Sequence, residues 1–248
     1  MVDKTLNYGR EQISFLVDKS IYRLNKARIL DIGAGTGTDL ANIGRGLNCI
    51  IEKYGIEGYG PNVDKLNKQG VDTVSIDIEK EVYPFEDDFF DVVIANQIME
   101  HTKEIFWIVS EVSRILKPGG TFVVGVPNLA SFHNRLLLMF GKQPTCIKMF
   151  SAHLRGYTYK DFKTYIETDG YFEVLDVKGS NFYPFPACLA KILSKIFPKA
   201  SVSIFIMIRR TEKEGKFIDV LRTRFLETNY YIGDGKTVFD GFDDSILC

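Results

Sequence analysis

Three glycines at alternate positions, directly after a short apolar run, constrain the fold of this chain more than any other feature. The run covers residues 28–32, and the glycines are Gly33, Gly35 and Gly37. A helical pattern begins near Thr38, so the glycines form a turn between a strand and a helix N-terminus. Such a turn lets the backbone approach a ligand closely, because glycine has no Cβ atom. The G-x-G-x-G spacing differs from the G-x-G-x-x-G spacing that holds a dinucleotide pyrophosphate.

Strand-like and helical segments alternate up to residue 127. Five strands are predicted, over residues 28–32, 54–57, 72–76, 90–95 and 121–126. The clearest helix covers residues 103–117, where Thr102 can cap the start and the sequence Pro-Gly-Gly ends the helix. This alternation predicts an α/β fold with a doubly wound, mostly parallel sheet. Ligands of such sheets bind outside the carboxyl ends of the strands.

The pattern changes after residue 127, where a helical cap is predicted. Its elements cover about residues 128–160 and 181–199, and the first begins with a helix over residues 128–143. A second helix opens at Thr158, which forms a capping box with Asp161, and stops at Gly170. Two more strands are expected over residues 172–177 and 202–209, followed by a polar linker over residues 210–217.

Composition excludes several classes of protein. The chain has 31 Lys and Arg against 32 Asp and Glu, so its net charge of −1 gives no reason to expect nucleic acid as a partner. Its first residues lack the apolar core of a signal peptide, and no apolar run is long enough to span a membrane. The four cysteines, widely spaced, are expected to be reduced thiols in a cytoplasmic protein: Cys49, Cys146, Cys188 and Cys248.

Polar side chains follow the second and third predicted strands. Glu57, which precedes Gly58, lies about 20 residues after the glycine turn, where an acidic residue can accept both hydroxyls of a ribose. Asp77 follows the third strand and can accept a hydrogen bond from an exocyclic amine, while Ile78 packs against a base. An aspartate that only starts a turn is nearly as good an interpretation of Asp77.

The fourth strand delivers a polar cluster to the same edge of the sheet. Asn96, Gln97 and Ile98 come directly after it, and His101 follows. His101 is a candidate general base near neutral pH. The alternative, that His101 caps the next helix or bonds Glu100, is equally good.

These four elements resemble the class I S-adenosylmethionine-dependent methyltransferases over residues 29–127. The resemblance implies a seven-stranded sheet whose last strand is antiparallel, in a Rossmann-like methyltransferase domain over residues 1–210. Residues 211–248 are left as a C-terminal extension of unassigned role. The resemblance also implies that the glycine turn contacts the methionine part of the cofactor, that Glu57 holds the ribose and that residues 77–78 flank the adenine. The expected set of cofactor-binding residues is Asp31, Gly33, Ala34, Gly35, Thr36, Gly37, Glu57, Gly58, Asp77, Ile78, Asn96, Gln97 and Ile98.

The catalytic chemistry predicted is methyl transfer, with oxygen as the expected acceptor atom. His101 is the first candidate for the base, and His153 and His133 are alternatives from the cap. No metal is expected, because the extra carboxylates that metal-dependent catechol methyltransferases use are not evident. Residues 7–10 can close over the cofactor.

The acceptor is expected to be a small molecule, a glycan or a lipid-linked molecule. Residues 127–136, with residues 153–158, are similar to a bacterial and archaeal subgroup linked to surface-glycan or lipid-linked sugar modification. The apolar cap with its scattered cations suggests peripheral membrane contact, although a lid that packs onto its own core is the more favoured interpretation. A non-catalytic cofactor-binding regulator is an alternative, and an NAD-dependent oxidoreductase is a weaker one. The sequence leaves the oligomeric state open.

Overall fold

The computed structural model describes residues 9–223, 226 and 228–241, and these build one seven-stranded sheet with helices on both faces. The strands of the sheet run in the order β3-β2-β1-β4-β5-β7-β6, and only β7 is antiparallel to its neighbours. Their bounds are β1 Lys26–Ile32, β2 Ile50–Ile56, β3 Asp72–Val74, β4 Phe90–Asn96, β5 Leu116–Pro127, β6 Phe172–Ser180 and β7 Ser203–Arg210. This order confirms the predicted doubly wound sheet with an antiparallel last strand.

Helices cover both faces of the sheet and form the cap. Their bounds are α1 Arg10–Ile21, α2 Thr38–Asn42, α3 Gly60–Lys68, α4 Ile105–Ile115, α5 Phe132–Met139, α6 Tyr159–Ile166 and α7 Ala187–Ile196. In the part of the chain that the structure describes, no helix is both long enough and apolar enough to cross a bilayer.

The central strand β1 is buried on both faces, because its side chains alternate between two cores. Ala27 and Ile29 pack into the core that includes α1, and Leu30 and Ile32 pack into the core that includes α4. A strand of a parallel sheet that is covered on both faces has this near-continuous apolar sequence. The glycine turn therefore begins at the end of a strand that is packed on both faces.

The start of α4 differs from the prediction. The hydroxyl of Thr102 donates to the Met99 carbonyl, so Thr102 does not cap the helix. The backbone N–H groups of Lys103 and Glu104 instead donate to Glu79 Oε2, at 2.6 and 2.8 Å. The carboxylate that satisfies these N–H groups is 24 residues away in the sequence, so no local pattern reveals it.

The cap is held by buried polar groups as well as by aromatic contacts. Asn128, fully buried after β5, donates to the carbonyls of Lys199 and Ser201 at 2.9 and 2.8 Å. Its own side-chain oxygen accepts from the backbone N–H of Ala130. These bonds take up residues 128–131, so α5 begins four residues later than the predicted helix over residues 128–143. Thr158 caps α6 as predicted, since its Oγ1 accepts from the backbone N–H of Asp161 at 3.2 Å, and its hydroxyl donates to Asp161 Oδ2 at 2.7 Å.

The segment after β7 packs onto the same domain. Phe217, Val220 and Leu221 are buried in the core that contains α4. The polar linker predicted over residues 210–217 therefore ends in a core residue, and the predicted extension shares the main core over its described part. A two-stranded hairpin follows, with β8 Tyr231–Gly233 and β9 Lys236–Thr237. The cysteines at 49, 146 and 188 are free, and Cys248 lies outside the described residues.

Candidate active site

The glycine turn follows β1 and is fixed by the neighbouring strand. The N–H groups of Gly33 and Ala34 donate to the Ile56 carbonyl at 2.8 and 3.1 Å. Gly33, Gly35 and Gly37 have φ values of 70°, 54° and 77°, in the left-handed region that favours glycine. A Cβ atom on Gly35 would meet nothing within 4 Å. The middle of the turn thus borders open space that a ligand can fill.

Glu57 lies directly after β2 and contacts the turn. Its Oε2 accepts from the backbone N–H of Gly35 at 2.7 Å, and its Oε1 accepts from the N–H of Tyr59 at 2.8 Å. Each carboxylate oxygen can accept a second hydrogen bond. These two bonds therefore orient Glu57 and leave it able to bind a pair of hydroxyl groups. Its neighbour Gly58 also has open space where a Cβ atom would lie.

A cavity of about 300 Å³ lies at the carboxyl edge of β1 and β4. Its lining residues are Arg10, Gly33, Ala34, Gly35, Thr36, Asp39, Asn96, Gln97, Glu100, His101 and His153. The structure thus brings together the glycine turn, the end of β4 and two of the three histidines. Of the segment over residues 7–10, Arg10 reaches the cavity, and residues 7 and 8 lie outside the described part of the chain.

Several buried polar atoms around this cavity lack a hydrogen-bond partner among the residues that the structure describes. They are Arg10 Nε, Asp39 Oδ1, Asn96 Oδ1, Gln97 Nε2 and both carboxylate oxygens of Glu100. Buried polar groups are almost always paired in folded proteins, because an unpaired one costs about 1–3 kcal/mol. Their concentration at one cavity indicates a site for a ligand with charged and polar groups.

Acidic groups set the electrostatics at the base of the turn. Asp31 is buried, and this burial, followed by the nearby Asp39, raises its pKa well above the ordinary range, while Arg10 acts in the opposite direction. Asn96 Nδ2 donates to Asp39 Oδ2 at 3.0 Å. Asp39 comes from α2, directly after the glycine turn, so a carboxylate at this position was visible in the sequence but was not predicted.

Glu100, His101 and His153 form a cluster at one end of the cavity. The two imidazole rings meet edge to face, with centroids 4.7 Å apart. His101 Nδ1 lies 3.2 Å from the Ala152 carbonyl, and His153 Nδ1 lies 2.7 Å from the Cys146 carbonyl. Burial raises the pKa of the Glu100 carboxyl to about 7. His101 was predicted at this place, whereas Glu100 was considered only as its hydrogen-bond partner.

The other predicted cofactor residues lie near the cavity's wall or further along the sheet edge. Asp77 begins a turn after β3, where its Oδ1 accepts from the N–H of Glu79 at 3.0 Å. Ile78 and Ile98 are partly buried against the main core. The side chain of Ile98 also covers Gly33, where any Cβ atom would clash with it.

His133, the other alternative base, lies within the cap and does not line this cavity. Its Nδ1 is 3.2 Å from Ser131 Oγ, and its Nε2 is 2.9 Å from Thr145 Oγ1. Burial lowers the pKa of His133. With both ring nitrogens engaged, His133 fits a structural role.

Comparisons with known proteins agree with this fold. Residues 30–124 match the family model of a methyltransferase domain. The chain is 29% identical over 104 residues to the sterol 24-C-methyltransferase erg6 of Schizosaccharomyces pombe, a match that covers 40% of this chain and 27% of that protein. The chain spans less than a third of the length of the curated relatives it matches.

Solved structures show the same architecture at low identity. One chain of the complex between the Haloferax volcanii Trm112 methyltransferase activator and a methyltransferase superposes with a TM-score of 0.58 and 15% identity, over 85% of this chain and 95% of that one. The [4+2]-cyclase SpnF superposes with a TM-score of 0.57 and 21% identity, over 81% of each chain. At these identities the likeness shows the fold, which is the Rossmann-like class I methyltransferase fold.

The residues of the cavity fit S-adenosylmethionine, the cofactor that the domain match supports. The open space at Gly35 admits close contact with the backbone, and Glu57 can accept ribose hydroxyls. The unpartnered cationic and anionic atoms of Arg10 and Asp39 suit the carboxylate and ammonium of the methionine part. The lining of the cavity therefore agrees with the match of residues 30–124 to a methyltransferase domain.

Proposed function

We propose that this chain methylates an oxygen atom of an apolar, lipid-linked acceptor at the cytoplasmic surface of a membrane, with S-adenosylmethionine as the methyl donor. The observation that carries the acceptor class is the cap, which has a cationic and partly apolar surface and contributes His153 to the cofactor cavity. The cofactor supplies a methyl group that is already activated. The protein has to bind the donor, hold the acceptor oxygen in line at about 3 Å and exclude competing water.

In this proposal, residues at the carboxyl ends of four strands each bind a different part of the cofactor. The glycine turn contacts the methionine part, Glu57 holds the ribose, and Asp77 with Ile78 flanks the adenine. Asn96 and Gln97 lie at the end of β4, where the sulfonium is expected. Gln97 has a φ of 58°, a costly conformation for this residue, and its side-chain nitrogen is buried without a partner in the described residues. A strained residue with a free donor supports a ligand-binding role.

His101 is the proposed catalytic residue on the acceptor side. It lines the cavity and follows the end of β4 by five residues. The Ala152 carbonyl can only accept a hydrogen bond, so Nδ1 of neutral His101 carries the proton and Nε2 keeps its lone pair. This nitrogen can assist the loss of the acceptor's hydroxyl proton.

The two cap elements contain no acidic residue. Residues 128–160 carry five Arg and Lys, and residues 181–199 carry three Lys, in a chain whose net charge is −1. Exposed apolar side chains lie among these cations, including Met139, the last residue of α5, at 77% exposure and Phe140, directly after it, at 76%. Phe150, in the loop that follows, is fully exposed. Cations interleaved with exposed apolar groups fit an anionic lipid surface.

A second cavity, of about 650 Å³, lies within the cap. Its lining residues are His133, Leu136, Leu137, Lys142, Gln143, Thr145, Lys148, Tyr183 and Pro184. The loop over residues 145–153 lies between the two cavities, since Thr145 bonds His133 in the second and His153 lines the first. A lipid-linked acceptor could place its apolar part in the cap cavity and its reacting hydroxyl beside His101.

The first test is calorimetric titration of the protein with S-adenosylmethionine, S-adenosylhomocysteine and NAD. Binding of the first two in the micromolar range without binding of NAD supports the cofactor, and binding of NAD alone overturns the proposal. Methyl transfer from labelled cofactor is then measured with lipid extracts in anionic vesicles and with water-soluble sugars. Labelled lipid product supports the acceptor class. Cofactor binding without any methyl transfer favours the regulatory module instead.

The membrane contact is tested separately by flotation with vesicles that contain 30% phosphatidylglycerol, a composition set at roughly the anionic content that recruits basic surfaces. The double variant Met139→Ser/Phe140→Ser is compared with Ile50→Ser/Val82→Ser, whose parent residues are 69% and 60% exposed outside the cap. Burial of two large side chains in lipid contributes about 2–4 kcal/mol. We therefore expect at least tenfold weaker binding of the cap variant only. Equal binding of both variants argues against the proposed surface.

A further inference from the structure

We propose that Glu100, His101 and His153 bind one divalent transition-metal cation at the acceptor end of the active site. One ligand atom from each of these residues lies within 4.8 Å of the other two. Two ligand atoms on one tetrahedral Zn²⁺ lie roughly 3.3–3.6 Å apart, because each is held at about 2.0–2.2 Å from the ion, so the gap to be closed is at most about 1–2 Å. Small side-chain rotations on a preformed cluster close this gap.

Both imidazoles are oriented as metal ligands usually are. In metal sites a histidine commonly donates its second ring N–H to a backbone carbonyl, which fixes the tautomer and aims the other nitrogen at the ion. The Nδ1 atoms of His101 and His153 lie within hydrogen-bond distance of the Ala152 and Cys146 carbonyls. Both Nε2 atoms are therefore left with a lone pair. Catalysis by a general base needs only one such imidazole, whereas here two imidazole rings are in contact.

Glu100 supplies the second, independent observation. The residue is only 1% exposed, and neither carboxylate oxygen has a hydrogen-bond partner within the described ranges. An unpaired buried carboxylate is costly unless a cation or a donor compensates it. The Glu100 carbonyl accepts from the N–H groups of Leu154 and Arg155, at 2.7 and 3.2 Å, which ties the two segments of the cluster together. The carboxylate is thus held beside both imidazoles by backbone bonds.

The chemistry of the three ligands favours Zn²⁺, Mn²⁺ or Fe²⁺ over Mg²⁺. Two imidazoles with one carboxylate suit these metals, whereas Mg²⁺ prefers oxygen ligands and retains several waters. Three protein ligands leave at least one coordination position open, as in catalytic sites. The sequence predicts no metal because it shows neither a set of extra carboxylates nor a zinc-like cysteine spacing, while this cluster combines residues from segments 52 positions apart.

The inference deepens the proposed function and rests on it for the role of the ion. An acceptor hydroxyl that occupies the open position loses its proton more readily, because a bound cation lowers the pKa of an oxygen ligand. The oxygen then forms a bond to the methyl carbon while the carbon–sulfur bond breaks and sulfur keeps the electron pair. The proton leaves to solvent, so the products are a methyl ether, a thioether and one proton. His101 would then act as a ligand and not as a free base.

The experiment is a Co²⁺ titration of the chelator-treated 248-residue chain, followed by its visible absorption, with Zn²⁺ competition. We expect saturation at one ion per chain, a d–d spectrum typical of four or five ligands, and displacement by Zn²⁺ but not by millimolar Mg²⁺. Glu100→Gln and His153→Gln should each weaken binding at least tenfold. His133→Gln is the matched control, since it changes the chain's third histidine outside the cluster, and should leave binding within twofold.

The unfolding temperature of each variant is measured to confirm that it is folded, and Glu100→Gln keeps the side-chain shape should His153→Gln prove unstable. Absence of saturable binding, or binding that both variants leave unchanged, overturns the inference. Because cofactor titration is run on the same samples, a protein that binds the cofactor but no Co²⁺ refutes the metal site alone. A protein that binds Co²⁺ but no cofactor refutes the proposed function instead.

Discussion

The cofactor edge of the sheet and the cap are built in opposite ways. At the cofactor edge, the glycine turn follows a buried strand, and the Glu57 carboxylate accepts from the backbone N–H of Gly35. The cap has no acidic residue over residues 128–160 and 181–199, and its large apolar side chains remain exposed. The geometry of the first region depends on particular residues at particular positions. The character of the second depends on its overall composition.

Under the proposed function, the two regions have separate recognition tasks. A cofactor of fixed shape requires fixed hydrogen-bond geometry, which strands anchored in the core provide. A lipid-linked acceptor with a variable apolar part requires a surface of suitable polarity and far less geometric detail. Substitutions at the two regions should therefore separate cofactor binding from membrane binding.

The largest effect is expected at Asn128, whose buried side chain bonds the start of the cap to residues 199 and 201. Asn128→Ala removes three hydrogen bonds from a fully buried side chain and leaves two carbonyls without their donor. We expect a loss of about 2–4 kcal/mol in the free energy of unfolding, measured by urea denaturation. Cofactor affinity should change less than threefold. The exposed Asn67→Ala on α3 is the control and should cost less than about 0.5 kcal/mol.

The glycine turn gives the next largest effect and tests the other region. Gly35→Ala places a Cβ atom in the space reserved for the cofactor, and left-handed backbone costs a non-glycine residue about 1–2 kcal/mol. We expect cofactor affinity to fall at least tenfold by calorimetry, with vesicle binding unchanged. Gly46→Ala is the matched control, because Gly46 also has a positive φ and open space but does not line the cavity. Similar affinity loss in both variants would mean that the turn acts only through stability.

The cap cations give a smaller effect. Replacing Lys142 and Lys148 by Gln removes two charges, each contributing about 1 kcal/mol near an anionic surface. Flotation with anionic vesicles should show binding weakened about tenfold, and the loss should diminish at high salt because the charges are then screened. The control pair, Lys65→Gln/Lys68→Gln, changes two exposed lysines on α3 and should bind normally. An equal loss in both pairs would mean that vesicle binding depends on the protein's net charge and not on the cap surface.

The smallest effect is the pH dependence that Asp31 contributes. Since burial raises its pKa above that of the unfolded chain, the native state holds the proton to higher pH. Stability from this group is therefore present at low pH and declines as the pH rises toward the native pKa. In cofactor-free protein, Asp31→Asn should raise the unfolding temperature more at pH 8 than at pH 5, by about 2–4 °C for each kcal/mol. A pH-independent difference, or the same trend in the exposed Asp64→Asn, would contradict this assignment.

Sequence alone determined the sheet, the glycine turn and part of the cavity lining, because these depend on local patterns. Alternating apolar segments specify buried parallel strands, and strand ends meet at one edge whatever their distance in the sequence. Asn96, Gln97 and His101 were therefore placed at the cavity from their positions after β4. The acidic residue Glu57 was found by its separation from the turn.

Only the tertiary structure decided which groups meet across long separations. Glu79 satisfies the start of α4 from 24 residues away, and Phe217 joins the core from a segment that looks polar in sequence. His153 approaches His101 because backbone bonds to the Glu100 carbonyl draw residues 154 and 155 to the end of β4. A local pattern records what each segment prefers, but the pairing of distant side chains depends on how the segments pack, which no single stretch of sequence specifies.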